Sequence, residues 1–210
     1  MDLQDLVVSG YDSTEGFDGD INVQFLDGVG RTSAMYFWID IPADEEDPDS
    51  VAFHGWYDGN DEYAEGVTIR PGTGLWTKSS SSAYGIQSAG QVITEDTAIA
   101  LREAGFVMVA NPIPVDVDLQ DVMVGGYNHE DGFEGEINVQ FLDGVGRTSA
   151  MYFWIDIPAD EEDPDSVAFY GWYDGNDELA VDVNVKAGTA LWTKSDSSIY
   201  SLVFPGVEVK

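Results

Sequence analysis

The sequence predicts an all-β chain built as two tandem, near-identical β-sandwich or barrel-like modules. Two observations predict it. Short apolar–polar alternating runs recur between turn signals every 8 to 15 residues, the spacing of sandwiches and barrels. A self-similarity at an offset of 116 residues runs through most of the chain, and repeats of that kind govern the reading of everything else.

The elements follow in order. Ile21, Val23 and Phe25 alternate with Asn22 and Gln24, the period of a half-buried strand, and Asp27-Gly28 supplies a turn. Met35-Tyr36-Phe37-Trp38-Ile39 is apolar on both faces and reads as a central strand. The acidic stretch 43–50, flanked and broken by Pro42 and Pro48, is a loop. Residues 51–57 form the next strand, closed by Asp58-Gly59-Asn60-Asp61. Val67-Thr68-Ile69, the turn Pro71-Gly72, Leu75-Trp76-Thr77 and then 84–92 complete the set. Only 97–104 resembles a helix, and it is too short to be stable alone.

The repeat is close to exact. Residues 21–53 return unchanged as 137–169 and 55–62 as 171–178; His54 alone between them becomes Tyr170. Leu75-Trp76-Thr77-Lys78 returns as Leu191-Trp192-Thr193-Lys194. Residues 1–94 match 117–210 and leave 95–116 unmatched. Near-identity of core and surface alike marks a recent duplication; selection for bivalency is the functional alternative. The unmatched segment lacks linker composition. It reads as two short buried strands, 98–102 and 106–110, ended by Asn111-Pro112-Ile113-Pro114. Assigning one strand to each side gives modules 1–105 and 106–210, each long enough for its own core. The first module then lacks an opening strand and the second a closing one, so a fragment or mature form is expected. Met1-Asp2-Leu3-Gln4 has neither the basic nor the apolar region of a signal peptide.

Composition excludes several functions. The 210 residues carry 40 acidic against 8 basic side chains, a net charge of −32, which repels nucleic-acid backbones and anionic membranes. There is no cysteine, hence no disulfide, thiol chemistry or thiolate metal site. The acidity fits either high-salt adaptation or extracellular calcium binding. Calcium needs clustered oxygen ligands. Asp58, Asn60, Asp61 and Glu62, with their copies Asp174, Asn176, Asp177 and Glu178, are the first candidate ligands. Asp44-Glu45-Glu46-Asp47-Pro48-Asp49 and its copy at 160–165 are the second. Solvated turns of ordinary polar composition are the plain alternative for both.

No catalytic constellation stands out. His54 is Tyr170 in the other copy and His129 is Ser13, so chemistry needing histidine would run in one module at most. The Ser79 to Ser82 cluster and the Gly28-Val29-Gly30 stretch read as loops. An enzyme is not expected. The aromatics carry more. Alternation places Tyr36 and Trp38 on one face, and Trp56 beside His54 on another shared face. With the copies Tyr152, Trp154 and Trp172 they form a candidate platform for stacking glycan rings; burial in the core is the competing expectation.

Pro71-Gly72-Thr73-Gly74-Leu75-Trp76-Thr77-Lys78, Ala110-Asn111-Pro112-Ile113-Pro114 and Leu119-Gln120-Asp121 resemble the GxGLWV, NPFP and LQDI motifs of poorly characterised secreted or surface β-rich repeat proteins of bacteria. Ile113 stands where that pattern has an aromatic, and Thr77 where it has Val. The resemblance implies an extracellular, β-rich protein without assigned catalysis, and an intact C-terminus at 201–209. It carries over no functional residue. The expected function is non-enzymatic: adhesion or structural assembly at the cell surface, through a glycan or protein partner or through self-assembly. A carbohydrate-binding module and a subunit polymerising by strand addition are the alternatives.

Overall fold

A computed structural model describes residues 1–26, 31–44, 46, 49–88, 92–103, 105–143, 146–159 and 166–207. It is all-β, with several sheets and none closed. The only helical turns among the described residues are two 3-10 segments, Leu3–Asp5 and Leu119–Asp121. Over the described residues the chain divides into two compact units, one of 1–26, 31–70 and 75–88, the other of 71–74 and 92–207.

The first unit holds β1 (Val7–Ser9), β2 (Ile21–Leu26), β3 (Thr32–Ile41), β4 (Phe53–Asp58), β5 (Trp76–Ser79) and β6 (Gly85–Gln87). Its antiparallel four-stranded sheet has the order β4-β3-β2-β5, and β1 pairs with β6 separately. The core draws on both sheets: Ile21, Val23, Trp38 and Trp56 from one, Val8 and half-buried Ile86 from the other, closed by Leu3 and Leu6. The expected strand at 67–69 is reduced to a single bridge, Asp2 with Thr68.

The second unit holds β7 (Thr97–Ala100), β8 (Gly105–Ala110), β9 (Val117–Asp118), β10 (Met123–Gly125), β11 (Ile137–Leu142), β12 (Thr148–Ile157), β13 (Phe169–Tyr173), β14 (Asn184–Val185), β15 (Ala190–Ser195) and β16 (Ser201–Phe204). Its sheets are β13-β12-β11-β15-β8, β10-β16-β7 and the small pair β14-β9. The repeated strands keep their register: Trp38 faces Trp56 across β3 and β4, and Trp154 faces Trp172 across β12 and β13.

One strand is a correction. Residues 98–102 were expected to close the first module; instead Thr97–Ala100 pairs antiparallel with β16 in the second unit. An apolar run signals burial but not the sheet that buries it. Leu101, 3% exposed, belongs to the second unit's core with Leu202 and Phe204.

The 3-10 turn has a specific task. Asp2 caps it, accepting from the Gln4 N–H at 3.0 Å, while Asp5 accepts from the Asp2 N–H at 2.8 Å. That presents the Gln4 amide to edge strand β4. Gly55 lies where the amide arrives, with φ +130°, and a Cβ there would meet Gln4 Oε1 at 2.6 Å. Only glycine suits both the backbone angle and the space.

Candidate functional site

The tryptophans proposed for a glycan platform are core residues. Trp56 and Trp172 are 0% exposed and Trp38 and Trp154 are 4% exposed. The Trp56 indole donates to the Leu6 carbonyl at 2.8 Å and the Trp172 indole to that of Val122 at 2.6 Å. Tyr36 and Tyr152 are half-buried against the same cores. Tyr36 and Trp38 do share a face, as alternation requires, but that face points inward. The exposed platform expected at these six positions is therefore corrected: a large ring gains most where it leaves water entirely.

Exposed apolar side chains lie towards the opposite face of the sheet, around the ring of Tyr57, which is itself buried at 8% exposure. In register, Ile41 faces Phe53 and Phe37 faces Tyr57. Tyr57 stacks edgewise on Tyr63 at 5.4 Å. Ile41, Val51, Phe53 and Tyr63 are exposed, and so are Ile157, Val167, Phe169 and Leu179 at the corresponding positions.

The acidic turns satisfy themselves. Asp58 Oδ1 accepts from the N–H groups of Asn60 and Glu62 at 2.8 and 3.0 Å, and Oδ2 accepts from the Asn60 amide at 3.2 Å. Asp61 takes a positive φ of 61°. The copy repeats this: Asp174 accepts from Asn176 and Glu178, and Asp177 has φ 60°. Those backbone hydrogen bonds hold Asp58 and Asp174 below the ordinary aspartate range. Among the described residues no three His, Cys, Asp or Glu side chains gather as metal ligands would. The second acidic candidate lies largely outside the described residues, at 45, 47, 48 and 160–165.

A buried carboxylate in each unit was missed in the sequence. Asp40, 8% exposed, accepts from the Tyr11 hydroxyl at 2.6 Å, and Tyr11 in turn accepts from the Trp38 indole at 3.2 Å. His54 Nδ1 lies 3.1 Å from Asp40 Oδ1. In the second unit Asp156 accepts from Tyr127 at 2.6 Å, and Tyr127 accepts from Trp154 at 3.0 Å. The histidine there is His129, with Nδ1 3.0 Å from Asp156 Oδ2, and Tyr170 packs edgewise on Trp154 at 5.2 Å. Two non-equivalent sequence positions thus bring one histidine each to equivalent carboxylates. Burial pushes Asp40 up, but the Tyr11 hydrogen bond and the His54 partner hold it below the usual aspartate value. Burial, then the hydrogen bond to Asp40, raises Tyr11; burial and Asp156 raise Tyr127 further.

The sheet edges differ. Edge strand β4 is plugged: the Gln4 amide bonds the Trp56 backbone, the Ala64 N–H donates to the Trp56 carbonyl at 2.9 Å, and the Asp58 N–H donates to the Glu62 carbonyl. Gln120 and Ala180 repeat this at β13. At the other edge the units part. In the second, β15 is covered by β8, and Leu191, Thr193 and Ser195 are 1%, 0% and 1% exposed. In the first, β5 ends its sheet; Thr77 and Ser79 are exposed and Leu75 is half-buried.

Comparison of the chain with protein-family models, with curated proteins and with solved structures found no match.

Proposed function

We propose that the chain is a non-enzymatic, extracellular or cell-surface protein of two tandem β-sandwich modules, working in adhesion or structural assembly. One observation carries the reading: both units expose apolar side chains at corresponding positions, Ile41 and Phe53 paired across the sheet with Val51 and Tyr63 outside its strands in one, and Ile157 and Phe169 with Val167 and Leu179 likewise in the other. Contiguous exposed apolar side chains mark interaction surfaces. Elsewhere the acidic surface keeps the chain soluble. The buried carboxylate clusters support a non-enzymatic role, because Tyr, Trp and Asp there bond one another inside the fold. The resemblance to bacterial surface repeat proteins supports the extracellular placement. With Trp38 and Trp56 buried, glycan stacking on those rings is not the reading favoured.

The occupant of the apolar face is a second copy of the chain. Net charge opposes that contact and apolar burial favours it, so association strengthens as salt screens the charge. Sedimentation velocity over a wide concentration range, at low and high salt, tests this. The wild type should associate more at high salt, and Phe53→Ser combined with Phe169→Ser should abolish it. A wild type that stays monomeric under every condition overturns the proposal.

A further inference from the structure

The residues of β2 divide by face. Ile21 and Val23 lie in the first unit's core, so alternation turns Asn22 and Gln24 to the opposite face of the sheet. In register across that face, Asn22 lies between Phe37 and Lys78, and Gln24 between Met35 and Trp76. Two amides thus sit on an interior strand between apolar and aromatic flanks, and Asn22 is only 7% exposed. β11 repeats the set. Asn138 lies between Phe153 and Lys194, and Gln140 between Met151 and Trp192, at 6% and 9% exposure.

The amides are only partly satisfied. Thr32 donates to Gln24 Oε1 at 2.8 Å, and Gln24 Nε2 donates to Asn22 Oδ1 at 2.9 Å. The relay ends there. Asn22 Nδ2 makes no hydrogen bond among the described residues, and Gln24 Nε2 keeps a second N–H unused. Thr148, Gln140 and Asn138 form the same relay at 2.8 and 3.0 Å, and Asn138 Nδ2 is likewise unpaired among the described residues. A side chain more than nine-tenths buried, with donors that no protein group accepts, calls for an acceptor from outside the fold. The neighbouring rings add to the site. Trp76 is half-buried; in the second unit Phe106 packs edgewise on Trp192 at 5.3 Å, and Trp192 Nε1 is a further buried donor without a partner.

We infer that this face of each unit binds a neutral glycan, with sugar rings against Trp76 or Trp192 and sugar oxygens accepting from the Asn and Gln amides. A sugar ring offers both parts of the match: an apolar C–H face for an aromatic ring and hydroxyl oxygens for N–H donors. The unpaired amides select against an apolar occupant, which would cover them and leave their N–H groups without acceptors. The net charge of −32 repels carboxylated or sulfated glycans. This goes beyond the assembly reading and uses other residues: Ile41 and Phe53, proposed there for contact between copies, pair at the far end of β3.

The test is isothermal titration calorimetry of the full chain with cellohexaose, xylohexaose, mannohexaose and laminarihexaose, and with trigalacturonic acid as the charged comparison. At least one neutral hexasaccharide should bind saturably and more tightly than the acid. Asn22→Leu combined with Asn138→Leu keeps the side-chain volume and removes the free donors; it should weaken binding at least about tenfold, with circular dichroism checking that it folds. Trp76→Leu combined with Trp192→Leu leaves the amides in place and should weaken binding as well. Phe53→Ser combined with Phe169→Ser should bind the sugar as the wild type does. No binding by any neutral hexasaccharide, tighter binding of trigalacturonic acid, or wild-type affinity in either folded double variant at the Asn or Trp positions overturns the proposal. Self-association in salt without sugar binding defeats the glycan site alone; sugar binding by a chain that stays monomeric defeats the self-contact alone.

Discussion

The Gln4 side-chain amide takes the place of a neighbouring strand for Trp56: its Nε2 donates to the Trp56 carbonyl and its Oε1 accepts from the Trp56 N–H, each at 2.9 Å. Gln4→Ala takes the acceptor from the Trp56 N–H in a partly buried edge, while the Trp56 carbonyl keeps the Ala64 N–H. The expected loss is about 1–3 kcal/mol, read as a lower urea midpoint. Gln4→Glu should also destabilise, because a carboxylate cannot donate to the Trp56 and Ala64 carbonyls. Gln120→Ala should behave alike in the second unit, where Gln120 contacts Trp172 and Ala180. Unchanged midpoints would show that the plug does not hold the edge.

Tryptophan burial predicts a spectroscopic result. Trp38, Trp56, Trp154 and Trp172 are buried, while Trp76 and Trp192 are half-buried. Acrylamide should quench only a minor part of the native fluorescence, and Trp76→Phe should reduce that part most. Trp56→Phe keeps a large ring but removes the donor to the Leu6 carbonyl, at a cost of about 1–3 kcal/mol. Full quenching of the native chain would place the indoles in water.

These residues also show what was legible in advance. Alternation sorted Tyr36 and Trp38 onto one side, but a strand apolar on both faces does not declare which face is wet. The exposed Phe53 and Tyr63 had no distinguishing signal. Testing histidines at equivalent repeat positions removed His54 and His129 from consideration, because convergence on Asp40 and Asp156 happens in space and not at the offset. The strand at Thr97–Ala100 was seen, and its partner was not: pairing with β16 is a contact of high sequence separation. Val7–Ser9 and Met123–Gly125, at three residues each, are too short for a period to register. The all-β class was readable because turn spacing and alternation are local.

The buried carboxylate sets an acid limit. Asp40 is held below its ordinary value in the folded chain, so the folded state binds its proton less tightly than the unfolded one. Its stabilising contribution is complete above the unfolded value, near 3.9, and is lost as pH falls through the lower folded value. Asp40→Asn should therefore flatten the decline in stability below pH about 4, measured by urea titration at each pH. At the alkaline end the sign reverses. Tyr11 and Tyr127 are raised, so their contribution is whole below pH about 10 and falls as pH rises beyond it. Tyr127→Phe should remove part of that alkaline loss. An acid profile identical in wild type and Asp40→Asn would sink this account.

Self-repulsion should be the largest lever on stability. A chain of net charge −32 with only 8 basic side chains has few attractive pairs to offset like-charge contacts; Arg147 with Asp143 at 2.9 Å is one, and it is exposed. Raising ionic strength from 0.01 to 0.15 M shortens the screening length from about 30 to about 8 Å, less than the span of one sheet. Repulsion between distant carboxylates then fades while hydrogen bonds such as Tyr11 to Asp40 persist. The melting temperature should climb steeply over this range with sodium or potassium chloride alike. Because Asp58 and Asp174 engage their own turns, calcium chloride at matched ionic strength should add little beyond screening. A much larger rise with calcium, abolished by Asp58→Asn with Asp174→Asn, would show instead that the turns open to bind the ion.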